Sequence, residues 1–136
     1  MPFMFEQLEV WQLALEYVDL TYELADKLPR SEDFNLKSQV TRAATSIALS
    51  IAEGSTGQSD AEQNRFLGLA VRSLIETVVC QQLIKRRNYL NDDAILAEAD
   101  LKVQTLAKKL HSFRRALKMR KIGEETAPYL VAGEEG

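Results

Sequence analysis

The chain has 136 residues and a mass of 15.3 kDa, the size of one domain, which can bury about two thirds of its unfolded surface without a disulfide or metal staple. A hydrophobic share of 46% beside a charged share of 27% excludes a disordered chain. A single cysteine excludes a disulfide framework, one cysteine with one histidine speaks against a structural zinc site, and a formal charge of −3 gives polyanion binding no general support.

Three prolines and six glycines divide the chain into four segments with helical periodicity, and no strand-like alternation extends beyond Thr77-Val78-Val79. The first helix is expected over about 6–28, ending before Pro29. Its heptad rows Leu8/Leu15/Tyr22, Trp11/Val18/Ala25 and Val10/Tyr17/Leu24 are apolar, and Leu13 and Leu20 widen the arc. That arc is roughly twice the 100° a one-sided surface helix needs, so this helix should be covered on two sides.

The second helix, about 34–54, is expected to start within Ser31–Leu36 and to end at Gly54 as a left-handed cap. Between Arg42 and Glu53 it carries no charge, and Ala44, Ala48 and Ala52 form a small-residue row. Two under-charged helices in one chain suggest surface hidden against further copies. After the loop Gly54–Gln58, Ser59-Asp60-Ala61-Glu62 has the spacing of a capping box and opens a third helix over about 60–88. In this helix Glu76 interrupts the row Leu69, Glu76, Leu83. A half-buried carboxylate there would need a cation, with Arg42, Arg72 or a neighbouring subunit as candidates. Asn91-Asp92-Asp93 caps a fourth helix over about 92–122, ending at Gly123. Leu96, Ala99, Val103, Leu106, Leu110, Phe113 and Leu117 give it a narrow seam. The fold class expected is an all-α, antiparallel, up-down-up-down four-helix bundle over 1–123, followed by a loose acidic tail, 124–136.

Charge is uneven. Residues 1–79 carry 6 basic and 12 acidic side chains, residues 80–121 carry 11 and 4, and the tail adds four glutamates. Lys108, Lys109, Arg114, Arg115, Lys118, Arg120 and Lys121 are candidates for contact with nucleic-acid phosphates. Against this, they wrap around the helix with no base-stacking aromatic between them, and basic residues also suit a helix C-terminus. Lys85-Arg86-Arg87 falls at the opposite pole. No phosphate loop, zinc-protease motif or nucleophile elbow occurs. His111 is expected in solvent and Cys80 packed, so neither catalysis nor a metal or cofactor is expected. The longest uncharged stretch, Ala43–Ala52, is about half a bilayer span, and Met1–Glu6 lacks the basic start of a leader, so neither membrane nor targeting segment is expected. A free cysteine suits a reducing cytoplasm.

Phe5-Glu6-Gln7-Leu8-Glu9-Val10-Trp11-Gln12-Leu13-Ala14 resembles the opening of the bacterial four-helix-bundle family encoded in intervening sequences of 23S rRNA genes. A second block, Leu36, Gln39, Arg42, Ala43, Ala44, Ser46, Ile47 and Ile51-Ala52-Glu53-Gly54, agrees in order and spacing. So does a third, Phe66-Leu67, Ala70, Ser73-Leu74 and Glu76. That family is similar to the accessory protein of diversity-generating retroelements. The resemblance implies an antiparallel bundle, homopentameric where assembled, with nucleic-acid binding only in the basic retroelement branch. Ser50 departs from the asparagine usual before Ile-Ala-Glu-Gly, and the overall charge here is acidic. Two functions are open: a homo-oligomeric scaffold with a protein partner, or a nucleic-acid adaptor. Trp11, Tyr17, Arg42, Ala44, Ala48, Ala52, Glu53 and Glu76 are the candidates for oligomer contact or structural pairing.

Overall fold

The computed structural model describes residues 3–126 apart from Gln58, with residues 121–126 described by their backbone alone. Four helices, α1 (Glu9–Asp26), α2 (Leu36–Gly54), α3 (Asp60–Arg87) and α4 (Ala94–Thr126), form the bundle. Contacts run α1–α2, α2–α3, α3–α4 and α4–α1, the closed circuit of an up-down-up-down bundle. Its direction is visible in side-chain pairs: Glu9 and Glu16 of α1 meet Lys109 and Lys102 of α4 in reversed order, and Ser73 of α3 donates to Ser46 of α2 at 2.9 Å.

Helix ends depart from the expected positions for local reasons. Met4–Gln7 is a 3-10 turn and Leu8 is extended, so α1 starts at Glu9. The Phe3 N–H donates to the Glu6 carboxylate at 2.6 Å, and the Phe5 ring stands edge-on to Trp11 at 4.8 Å. α1 stops at Asp26, two residues short of the expected end. A second 3-10 turn, Arg30–Glu32, precedes α2. The cap at Ser59 is made, its Oγ accepting from the Glu62 N–H at 3.0 Å. Asn88, with φ 57°, closes α3 in the left-handed conformation. Asp92 caps α4 through the Ala94 N–H at 2.9 Å.

Two expected ends are corrected. Gly54 is not a left-handed cap, because it is the last helical residue of α2 and Ser55 follows with negative φ. The glycine serves close approach instead: a Cβ at this position would stand 2.8 Å from the Phe66 Cβ of α3. α4 does not end at Gly123 but continues to Thr126, a single glycine costing a helix only about 1 kcal/mol. Residues 124–126 are therefore helical, and the remainder of the expected tail, 127–136, lies outside the described residues.

The core has two apolar clusters. One is centred on Val10, Ile47, Leu67, Leu106 and Leu110, the other on Leu24, Val40, Ile84 and Leu96. A polar band joins α1 to α3 between them. Tyr17 Oη donates to Thr77 Oγ1 at 2.8 Å and accepts from the Gln81 amide, while Thr77 Oγ1 donates to the Leu74 carbonyl. Burial pushes the Tyr17 phenol above its ordinary value, against hydrogen bonds to Thr77, Thr21 and Gln81 that pull it down. All seven seam residues of α4 are buried.

Candidate interaction surfaces

Of the seven basic residues proposed on α4, three are engaged within the subunit. Lys109 pairs with Glu9 at 3.4 Å, and Arg120 with Asp60 at 3.1 Å. Arg114 donates to Asn64 at 2.8 Å and lies across Gly68, where a Cβ would come within 3.1 Å of its guanidinium. Lys108, Arg115 and Lys118 are exposed, with His111 beside the last two. Lys121 is in α4, but its side chain lies outside the described residues. The bundle thus leaves three of the seven open to solvent and engages three others within the subunit.

The residues proposed for oligomer contact also divide. Tyr17 and Ala44 are fully buried inside the subunit, so neither is available to a neighbour. Ala48 and Trp11 are partly buried against the same core. Arg42, Glu53 and Glu76 are exposed, and Ala52 is intermediate. Exposure at Glu76 corrects the expectation of a half-buried carboxylate: the row Leu69, Glu76, Leu83 points outward, so its apolar members are exposed too. Among the described residues Glu76 has no ion pair. Arg42 reaches only the Ser38 hydroxyl of its own helix, at 3.3 Å.

The wide arc of α1 is covered within the subunit by α2 on one flank and α4 on the other, leaving Leu15 and Tyr22 outward. The apolar surface that remains lies elsewhere. Leu49 of α2 is 57% exposed, and Ile75, Val79 and Leu83 of α3 are 45–55% exposed, with Leu69 of α3 exposed beside them; Phe34 before α2 and Leu101 and Met119 of α4 are exposed as well. For this reason α3 alone is long and apolar enough to cross a membrane by length and composition among the described helices, although sequence inspection found no such segment. Between Arg65 and Lys85 its charged residues are Arg72 and Glu76. Its inward positions (Leu67, Ala70, Leu74, Ile84) pack into the bundle, and the excess hydropathy comes from the outward ones.

No group of three or more metal-ligating side chains occurs among the described residues. Cys80 is buried, and burial together with the nearby Glu76 charge pushes its thiol above the ordinary value, away from the nucleophilic thiolate. A cleft of about 290 Å³ at one end of the bundle, between Leu8, Gly54 and Phe113, carries charge mainly as the Asp60–Arg120 pair, each neutralising the other. Sequence reading missed a further cluster where the loops meet at the other end. There the Glu32 carboxylate accepts from Tyr89 Oη at 2.5 Å, Asn35 Nδ2 at 3.0 Å and the Leu36 N–H at 3.2 Å. The Tyr89 bond holds the Glu32 carboxyl below its usual range and pushes the Tyr89 phenol up. A lone glutamate between two turns and a tyrosine 57 residues on gave no periodic signal.

The molecule is a four-helix bundle distinguished by its outer faces rather than by a cleft. Over residues 6–112 it matches the family described as 23S rRNA-intervening sequence protein, and it belongs to that family. No curated protein is significantly similar to it.

Proposed function

We propose that the protein is a non-enzymatic scaffold that acts as a homo-oligomer, with α2 and α3 supplying the contact. The observation that carries this reading is the exposed apolar set Leu49, Ile75, Val79 and Leu83, on helices whose inward faces are already packed. Scattered single apolar residues need no explanation, but several on one pair of adjacent helices mark an interaction surface. Resemblance to the ring-forming members of the family makes five the expected number of copies. The buried, proton-retaining Cys80 and exposed His111 support a role without catalysis, and the free cysteine supports a cytoplasmic location.

Sedimentation velocity on wild-type protein at micromolar concentration tests the reading. A species several times 15.3 kDa is expected, and Val79→Lys should release folded monomers. A wild-type monomer at tens of micromolar would refute it. Ala48→Arg is unsuitable as the disruptive change, because Ala48 packs against the subunit's own core.

A further inference from the structure

The N-terminal 3-10 turn is fixed by hydrogen bonds, and none of its residues is fully buried. The Glu6 carboxylate accepts from the Phe3 N–H at 2.6 Å, and the Gln12 amide donates to the Glu6 carbonyl at 3.0 Å. The leading side chains stay open: Phe3 is 69% and Met4 71% exposed. Phe3 stacks on Phe5, and with Met4, Ala52, Glu53 and Gly57 these rings line a groove of about 530 Å³ at the pole where α1 begins and α2 ends. Met4 and Gly57 also line the neighbouring cleft that holds the Asp60–Arg120 pair, so the last turns of α4 stand next to the groove. A mainly apolar groove on an ordered frame gains free energy from being covered.

The chain itself supplies a fitting occupant. From Arg120 to Thr126 α4 adds six residues, about 9 Å of helical rise. Pro128 disfavours helix at the residue before it, so the chain can turn there. Tyr129-Leu130-Val131-Ala132 then gives four apolar residues in a row, before Gly133 and two glutamates. An exposed run of that length is a liability unless it has a partner. From Thr126 to Leu130 the chain spans at most about 14 Å, enough to come back to the level of Arg120. We infer that the groove is a site for a short apolar peptide, and that Tyr129–Ala132 of the same subunit occupies it, with Leu130 against Phe3 and Met4. Tethering favours the subunit's own segment over one from another molecule, because a short linker holds it at millimolar effective concentration.

Cysteine cross-linking in the full-length chain tests this, since the native Cys80 is buried. Met4→Cys/Leu130→Cys should oxidise to a disulfide within one chain, read by non-reducing electrophoresis and intact mass, at least about tenfold faster than Ala61→Cys/Leu130→Cys. Ala61 is exposed on the first turn of α3, at the same pole but outside the groove. Both variants should keep wild-type helical circular dichroism, because Met4 and Ala61 are exposed. Adding Tyr129→Asp to the first variant should lower its rate to that of the control pair, because a carboxylate would then enter an apolar groove beside Glu53. Equal rates for the two pairs, or a fast rate that Tyr129→Asp leaves unchanged, would overturn the assignment. So would a disulfide that joins two chains, which would make the occupant a neighbouring copy's segment. The result is independent of the assembly proposed above, because the linkage is read within one chain.

Discussion

Replacing Tyr17 with phenylalanine removes one oxygen from a site that is fully buried. That oxygen donates to Thr77 and accepts from the Gln81 amide. The Thr77 hydroxyl keeps its own bond to the Leu74 carbonyl at 2.6 Å, so its loss is the ordinary net value of one hydrogen bond, about 1 kcal/mol. Gln81 is in a worse position. Its side chain is buried, so one amide N–H is left without an acceptor, at a cost of about 1–3 kcal/mol. Together these give a destabilisation of about 2–4 kcal/mol, or roughly 7–14 °C in Tm for a chain of this length.

Urea unfolding followed by circular dichroism measures this, at one fixed protomer concentration because assembly makes the midpoint concentration-dependent. The double change Tyr17→Phe/Gln81→Leu should cost less than the sum of its singles by about 1 kcal/mol or more, since it removes the stranded amide together with its former acceptor. A Tyr17→Phe loss under about 0.5 kcal/mol, or strict additivity in the cycle, would refute the account of this band as a connected network.

Gly54→Val should destabilise the bundle by about 1–3 kcal/mol in the same assay, because the added Cβ would stand 2.8 Å from the Phe66 Cβ and a packed helix crossing yields little; a neutral result would mean that α2 and α3 separate freely there. Glu32→Gln should lower stability at neutral pH, and its difference from wild type should shrink as pH falls. The folded-state carboxyl is depressed below its ordinary value of 4.5 by the Tyr89 bond, the Leu36 N–H and the Arg87 charge, so its contribution is present above about that pH and lost as pH falls through the folded value. Raised from 10.0, the Tyr89 phenol adds stability below that value that is lost as pH rises through its folded one. Urea midpoints from about pH 3 to 11 that run parallel for wild type and variant would contradict both. For nucleic acid, Lys108, Arg115 and Lys118 are the exposed α4 cations among the described side chains, so duplex DNA bound through them should show a log–log salt slope no steeper than about 3 per protomer engaged. A slope of that size that disappears on changing all three to glutamine would favour the adaptor over the scaffold.

Elements whose residues act along one helix were legible in the sequence. The seam of α4 is spaced for one buried stripe, and every member is buried; Ser59 with Glu62 marked a helix start at which the Ser59 half of the box is made, while the Glu62 carboxylate turns to Arg65. Features that join two helices were not. Gly54 looks like a helix end in sequence, and only the approach of Phe66 reveals why a side chain is excluded. Glu76 was placed on an inward row because leucines stand seven residues either side, but α3 is apolar on both faces, and row counting cannot tell inside from outside on such a helix. Tyr17 and Thr21, with Thr77 and Gln81, did leave a signal: two polar pairs spaced by four within apolar rows. It identifies no partner until α1 and α3 are brought together. Nor does the basic run of α4 reveal that Lys109 and Arg120 are paired until α1 and the start of α3 stand beside it.

Charge is zoned over the bundle, and this bears on assembly more directly than the width of the arc on α1. Lys102 and Lys109 of α4 lie against Glu16 and Glu9 of α1. Such exposed pairs contribute little stability, about 0–1 kcal/mol each, but they mark the α1–α4 side as the charged one. α2 lacks any charge between Arg42 and Glu53, although Leu49 there is exposed and Thr45 and Ala52 are only half-buried. Packing inside the subunit does not require this. Lysine or glutamate at an exposed helical position is an equally good helix former, changes stability by under about 0.5 kcal/mol and adds solubility. A solitary bundle would therefore gain from charge on that face. A bundle that covers the face with another copy would lose by it, since each uncompensated charge must then be desolvated. The same argument applies to Ile75, Val79 and Leu83, where polar residues would leave the core of α3 untouched. Introducing a lysine at Leu49 should therefore leave the folded monomer intact and weaken assembly, whereas a lysine at the exposed Leu101 of α4, outside the α2–α3 set, should leave assembly unchanged; sedimentation of the two variants side by side distinguishes a specific face from general stickiness.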